Sequence, residues 1–261
     1  MTLDLDAYLT RIGHRGPTTV DHASLSALLL AHMTRIPFEN LDVLLGRPIS
    51  LDVDALQAKL VHAGRGGYCY EHATLFAAVL EKLGFTVATH SARVTMMRPK
   101  HESPRTHMFL TVELRDGTYV VDPGFGGLAP RVPLHLDGRP AEHGGDEHWL
   151  SRDSNEYVLE ARTPERIVGA WTSTLSRDFP VDFEMANHFT STHPSSPFTT
   201  RLMMRTYSAD ARVTIANRTV TRHRNGASEV TQLADGAALR AAVARDFGFD
   251  LPELVSMKLP A

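Results

Sequence analysis

The stretch Arg65-Gly66-Gly67-Tyr68-Cys69-Tyr70-Glu71-His72 decides how this chain is read, because it holds the only cysteine of 261 residues and runs straight into an amphipathic helix. Downstream of it Leu75, Val79, Leu80 and Leu83 share one face at helical spacing, and Gly84 supplies a C-terminal stop. Cys69 therefore falls at or just before the first turn, where backbone amides lack intrahelical partners and the helix dipole is positive. Such surroundings favour thiolate over thiol and suit a nucleophile. The two glycines allow positive backbone angles and a close approach to the main chain. The plainer reading is that Cys69 is a small buried hydrophobe, as most free cysteines are.

Towards the N-terminus the pattern is helical. Asp21 caps a segment whose Leu25, Leu28, Leu29, Met33 and Ile36 recur at spacings of three and four, and Pro37 ends it. A second helix starts near Asp52, turns Leu56 and Leu60 inward and stops at Gly64. From Phe85 onward short runs rich in Val, Thr, Leu and aromatics predict antiparallel strands at 85–94, 107–114, 118–122, 132–136, 157–161 and 167–172, a barrel or small sandwich. The Pro and Ser cluster from Thr192 to Pro197 reads as a connector. Beyond it come strands at 201–207 and 212–216, an Asn225-Gly226 turn and a helix from about Asp235 to Phe247.

The composition narrows the function classes. With 43% hydrophobic and 22% charged residues and a formal charge of −3, the chain is that of an ordinary globular protein. Its 27 Lys and Arg are outnumbered by 30 Asp and Glu with no basic run, so nucleic acid is not an expected partner. One cysteine cannot form an internal disulfide, which points to a reducing compartment. No apolar run approaches the roughly 20 residues of a membrane span, and Met1-Thr2-Leu3-Asp4-Leu5-Asp6 does not resemble a signal peptide. A cytoplasmic location is the expectation; oligomeric state is not encoded legibly.

A cysteine nucleophile needs a base and a group to orient that base. Among fourteen histidines the informative one is His107, which opens the apolar strand Met108-Phe109-Leu110-Thr111-Val112. Asp122 closes the partner strand. Antiparallel pairing about the Asp116-Gly117 turn brings the two within about one or two residues of opposite each other. Alternatively His107 is a solvated edge residue and Asp122 an ordinary turn residue before Pro123-Gly124. No HExxH occurs and a single cysteine excludes multi-cysteine zinc sites, so no metal is expected. His143 and His148, flanking Gly144-Gly145-Asp146-Glu147, read as a solvated loop. Gly124-Phe125-Gly126-Gly127 lacks dinucleotide-fold spacing and reads as a flexible loop beside the site.

Four separated motifs in register, Ile36-Pro37-Phe38-Glu39-Asn40-Leu41, Arg65 to Glu71, the strand at His107, and Asp122-Pro123-Gly124-Phe125-Gly126-Gly127, resemble the arylamine N-acetyltransferases. The opening Tyr8 to Gly13 and the segment Ser191 to Phe198 are also similar to that family, and the likeness covers the first two hundred residues. It implies an α+β fold: a helical domain over 1–84, an antiparallel β-barrel domain over 85–195 and an α/β lid over 196–261. It implies Cys69 as nucleophile, His107 as proton partner and Asp122 as orienting carboxylate. Phe38, Val94, Thr95 and Phe125 are implied to line the amine pocket, with Gly126, Gly127 and Phe198 towards coenzyme A. Arg65 and Glu39 are implied to form a structural ion pair. The substrates implied are acetyl-CoA as donor and an arylamine or arylhydrazine as acceptor, without metal or tightly bound cofactor. Pro123 departs from the small apolar residue of many relatives, and the chain lacks the insertion of the animal enzymes, so it resembles the bacterial type. The order Cys, His, Asp with a helix-borne cysteine also serves transglutaminase- and papain-like hydrolases, and a binding module with an inert cysteine is the non-catalytic alternative.

Overall fold

The computed structural model describes residues 3–163, 165–208 and 211–260. Asp4 and Asp21 each accept a first-turn amide, from Ala7 and Ser24, and so start α1 (Leu5–Ile12) and α2 (His22–Arg35). After Pro37 come a two-residue strand β1 (Phe38–Glu39) and a single turn α3 (Leu41–Leu44). Asp52 caps α4 (Val53–Leu56), which widens into a π-helical turn to His62. The glycine loop then leads into α5 (Cys69–Lys82). Leu25, Leu28, Leu29, Leu60, Leu75, Phe76 and Leu80 are fully buried together, as their spacing predicts.

Eight antiparallel strands follow: β2 (Thr86–Val94), β3 (Arg105–Leu114), β4 (Gly117–Val121), β5 (Leu134–His135), β6 (Ala141–His143), β7 (Asp146–Asp153), β8 (Glu156–Arg162) and β9 (Ile167–Ser173). Their order is β5-β4-β3-β2-β9-β8-β7-β6, and β5 returns against β7, so the sheet is nearly a closed barrel around Phe109, Val120, Leu159 and Trp171. Two expectations are corrected here. His143 and His148 are not a solvated loop; they belong to the β6–β7 hairpin, where period-two alternation buries His148. The strand expected over 132–136 shrinks to Leu134–His135, the only part that pairs with β4.

Helix α6 (Pro180–Thr192) fills a stretch to which the sequence pattern assigns no element, and the connector from Thr192 to Pro197 follows it. Only Phe183, Asn187 and Thr190 on it are buried, two of them polar, so it carries no apolar stripe for a periodicity search to find. The last layer is a five-stranded sheet of β10 (Met203–Tyr207), β11 (Ala211–Ala216), β12 (Thr219–Arg224) and β13 (Ala227–Gln232) with β1 at its edge. Asn225 and Gly226, at φ 50° and 78°, make the tight turn between β12 and β13. Helix α7 (Gly236–Ala242) continues to Phe247 and covers Ile215 and Val220. The pairs Phe38↔Arg205 and Glu39↔Met204 join the N-terminal segment to this sheet. No helix among the described residues is long and apolar enough to cross a membrane.

Candidate active site

The glycines ahead of Cys69 serve close packing rather than unusual backbone angles. Neither is among the residues at positive φ. A Cβ on Gly66 would lie 2.0 Å from the Pro37 carbonyl oxygen, and one on Gly67 would lie 2.6 Å from Glu71 Oε2. The loop thereby runs beside β1: Gly67 N–H donates to Pro37 O (3.2 Å) and Glu39 N–H to Gly67 O (2.8 Å). Glu71 accepts the Tyr68 amide at 3.0 Å, one half of a capping box, which makes Cys69 the first residue of α5.

A buried ionic cluster anchors this turn from behind. Arg65 reaches Glu39 at 2.7 Å and Asp42 at 2.8 Å, and Lys59 reaches Asp42 at 2.8 Å and Glu71 at 2.7 Å. The Arg65–Glu39 pair thus sits where the family likeness implies. Burial and the nearby Glu39 outweigh Lys59 in pushing the Glu71 carboxyl up to about 7.

His107 and Asp122 arrive from the β3–β4 hairpin. The register runs from Leu114↔Gly117 to Leu110↔Val121, and one further step sets Asp122 opposite Phe109, two residues from His107. An even offset keeps both side chains on one face. His107 does not open its strand, which begins at Arg105; it pairs with Ala92 of β2. Its Nε2 donates to Asp122 Oδ2 at 2.8 Å, leaving Nδ1 for the sulfur. Trp171 Nε1 donates to the same oxygen at 2.9 Å, whereas the buried Oδ1 has no hydrogen-bond partner among the described residues. Burial acts to keep the His107 ring neutral, but the charge and hydrogen bond of Asp122, followed by those of Cys69, prevail and push it up to about 10. Gly124 allows the approach of the Asp122 loop to α5, since a Cβ there would stand 2.7 Å from Cys69 Cα. Pro123 occupies the turn between them.

In front of Cys69 and His107 lies a cavity of about 600 Å³ lined by Phe38, Val94, Phe125, Gly126, Gly127 and Phe198. The Phe125 ring stands edge-on to His107 with centroids 4.8 Å apart. Gly126, at φ +72°, turns the chain beneath the Phe38 ring. Thr95 is not part of the lining: its amide and hydroxyl face Ala170 O (3.1 Å) and Gly169 O (3.3 Å) on β9. Cavity residues that the sequence reading misses are Met96, Met97 and Met203 and the cations Arg98, Arg201 and Arg205. Tyr207 and Arg205 hold the glycine loop by donating to Gly126 O and Gly127 O. Trp171 is also missed, although an indole inside an otherwise aliphatic strand needs an acceptor for its N–H. A larger cavity of about 1120 Å³ between α6 and residues 46–53 reaches neither Cys69 nor His107. Among the described residues no cluster of ligating side chains suits a metal ion.

A thiol at a helix start, an imidazole beside it and a carboxylate fixing the imidazole are together equipped for acyl transfer. A family model described as N-acetyltransferase matches residues 21–255. The arylamine N-acetyltransferase of Mycolicibacterium smegmatis is 39% identical over all of this chain and 97% of its own length, and that of Escherichia coli K12 is 36% identical over 97% and 91%. The solved arylamine N-acetyltransferase of Mycobacterium marinum in complex with CoA superposes with a TM-score of 0.90 at 36% identity, covering 96% of this chain and 94% of that one. Sequence and fold thus match proteins of one description along nearly the whole length, and the chain belongs to the arylamine N-acetyltransferase family.

Proposed function

We propose that the protein moves an acetyl group from acetyl-CoA to the nitrogen of an arylamine, arylhydrazine or N-hydroxyarylamine through an acetyl-Cys69 intermediate. The observation that carries this reading is the buried His107–Asp122 pair at 2.8 Å beside the sole cysteine, at the floor of an aromatic-walled cavity. The relative from Mycobacterium marinum is solved with CoA, and the one from Salmonella typhimurium bears the name N-hydroxyarylamine O-acetyltransferase as well.

In the first half-reaction the Cys69 thiolate, paired with imidazolium His107, adds to the acetyl carbonyl carbon. The new C–S bond replaces the bond to coenzyme A, whose departing sulfur takes the proton from His107. Exchange of one thioester for another is nearly balanced in energy. In the second half-reaction the aryl nitrogen adds to acetyl-Cys69, passes its surplus proton to His107 and expels the Cys69 sulfur. Asp122 keeps the ring oriented and its positive charge compensated through both steps. Backbone amides of the first turn of α5 and the positive helix end stabilise the oxyanion. Phe38 and Phe125 offer flat apolar walls to an aromatic acceptor, and Val94 completes that side; Gly126 and Gly127 leave room for the donor, which Phe198 faces.

Intact-mass measurement tests the reading. Acetyl-CoA without amine loads one acetyl group on the wild-type chain and none on Cys69→Ala, whose turnover falls on the order of 10⁴-fold or more. An adduct that persists in Cys69→Ala, or amide hydrolysis without any acetyl loading, would overturn it.

A further inference from the structure

The helix that presents Cys69 carries a second buried histidine for which the acetyl-transfer steps have no use. His72 lies three residues further along α5, and the same Gly124 packs against the Cys69 backbone and the His72 side chain. His72 Nε2 is 3.2 Å from the Pro37 carbonyl oxygen, and His72 Nδ1 is 2.8 Å from His32 Nε2. His32 Nδ1 is in turn 2.7 Å from the Tyr8 hydroxyl. Tyr8, His32 and His72 are 0%, 0% and 1% exposed.

The direction of this chain follows from its last member. A carbonyl oxygen only accepts, so His72 carries its proton on Nε2, and the neutral ring presents a bare Nδ1. His32 must then donate from Nε2 and accept at Nδ1, and Tyr8 must donate. All four ring nitrogens are used, with both rings neutral. Burial agrees: it lowers His72 to about 4 and His32 well below the ordinary range. The other groups facing them, Lys59 and Asp122 at His72 and Arg11 at His32, exert smaller and partly opposing effects.

The chain ends at a point that matters for the sulfur. Pro37 O takes the His72 ring and also the Gly67 amide at 3.2 Å, so it joins the residue two positions before Cys69 to the residue three positions after it. The next residue along from Pro37 is Phe38, a wall of the cavity. We propose that His72 is a positioning residue for Cys69: its Nε2–H, oriented by Tyr8 through His32, clamps the Pro37 carbonyl and so fixes both the loop that presents the sulfur and the Phe38 wall. The N-terminal helix α1 thereby takes part in the reaction without touching a substrate.

The inference rests on Cys69 being the acetyl acceptor, and two readouts keep the two ideas apart. Alkylation of Cys69 by iodoacetamide needs no acetyl-CoA; a wild-type chain that is alkylated there but never acetylated breaks the acetyl-transfer reading alone. The brace is tested by His72→Gln, whose amide nitrogen can replace Nε2, against His72→Asn, which is too short to reach Pro37. At equal folded fraction by near-ultraviolet circular dichroism, His72→Gln stays within about threefold of wild type in alkylation and acetyl loading. His72→Asn falls about 30-fold in both, because displacements near 1 Å at a reacting atom cost up to about 10². His72→Asn also raises the KM for the amine, through Phe38. Equal losses in the two variants, or none in His72→Asn, overturn the proposal. If His72→Asn does not fold, Tyr8→Phe decides: a loss of about tenfold in both rates supports the brace, and a change within about threefold overturns it.

Discussion

His107 and His72 flank the same cysteine and are almost equally buried at 2% and 1% exposure, yet one is an imidazolium and the other a neutral imidazole. Burial acts on both in one direction, against the imidazolium. The partner decides the outcome. His107 gives its Nε2–H to a carboxylate that Trp171 holds in place, and a full negative charge at 2.8 Å outweighs desolvation. His72 donates its Nε2–H to a carbonyl and accepts a hydrogen bond from another imidazole, and dipoles alone do not compensate a buried charge. One helix start therefore has a charged, reactive ring on one side and a neutral, structural ring on the other.

Asp122→Asn is the severest way to break that contrast, since it converts the environment of His107 into one like that of His72. With the carboxylate gone, desolvation prevails, His107 is neutral at pH 7 and the sulfur loses its cationic neighbour. A fall of about 10⁴-fold in kcat/KM is expected, by analogy with loss of the orienting carboxylate in a serine triad. Alkylation of Cys69 at neutral pH should slow in parallel. An alkylation pH profile identical to wild type would remove Asp122 from the site's chemistry.

The pH dependence of stability sharpens the same contrast, because the two rings tilt it in opposite directions. His107 is raised from near 6.5 to about 10, so its contribution is complete below about 6.5 and is lost as pH climbs through 10. His72 is depressed to about 4. Above about 6.5 it is neutral in both states and nothing is lost; below that the unfolded chain takes up a proton that the folded one refuses, and stability falls until about pH 4. Each ring contributes a slope of at most about 1.4 kcal/mol per pH unit. In urea titrations across this range Asp122→Asn should flatten the alkaline limb and His72→Gln should shallow the acid limb between pH 6.5 and 4. Asp42, held at about 2 despite its burial by Lys59 and Arg65, acts below that window. His32, lowered by the same burial, and Glu71, raised to about 7, act inside it, so the share of His72 is the difference between wild type and His72→Gln. An acid limb unchanged in His72→Gln would assign the slope to other groups.

How much of this was legible beforehand follows from how local each signal is. The hairpin that couples His107 to Asp122 is written in a short segment around Asp116-Gly117, and the register has the even offset that pairing requires. The helix starts at Asp21 and Asp52 are likewise local. The role of Gly66 and Gly67 is not, because it depends on Pro37 and Glu71 arriving from elsewhere. Helix α6 is invisible to periodicity since its inward face is half polar: Asn187 is occupied by Tyr68 and by Ile49 O. Thr95 was placed in the pocket by likeness of position, but β2 has ended and its hydroxyl turns to β9. The Tyr8–His32–His72 chain spans three helices, and no spacing rule links residues 24 and 40 positions apart.

Trp171→Phe is the mildest test of the contrast and reaches it through the carboxylate rather than either ring. The indole N–H and His107 share Asp122 Oδ2, so among the described residues the indole supplies one of the two hydrogen bonds that fix the carboxylate. Phenylalanine keeps an aromatic ring beside Phe109, which stacks on the indole at 4.3 Å, and removes the donor together with part of the indole's volume. A hydrogen bond to a charged group is worth about 1.5–3 kcal/mol, which places the expected loss in kcat/KM between about 10- and 10²-fold. Because the effect passes through Asp122 to His107, the alkaline limb of the Cys69 alkylation profile should move to lower pH while the acid limb of stability, to which His72 contributes, stays where it is. A uniform drop in rate with an unmoved profile would make Trp171 a packing residue, and would leave His107 charged by Asp122 however loosely that carboxylate is held.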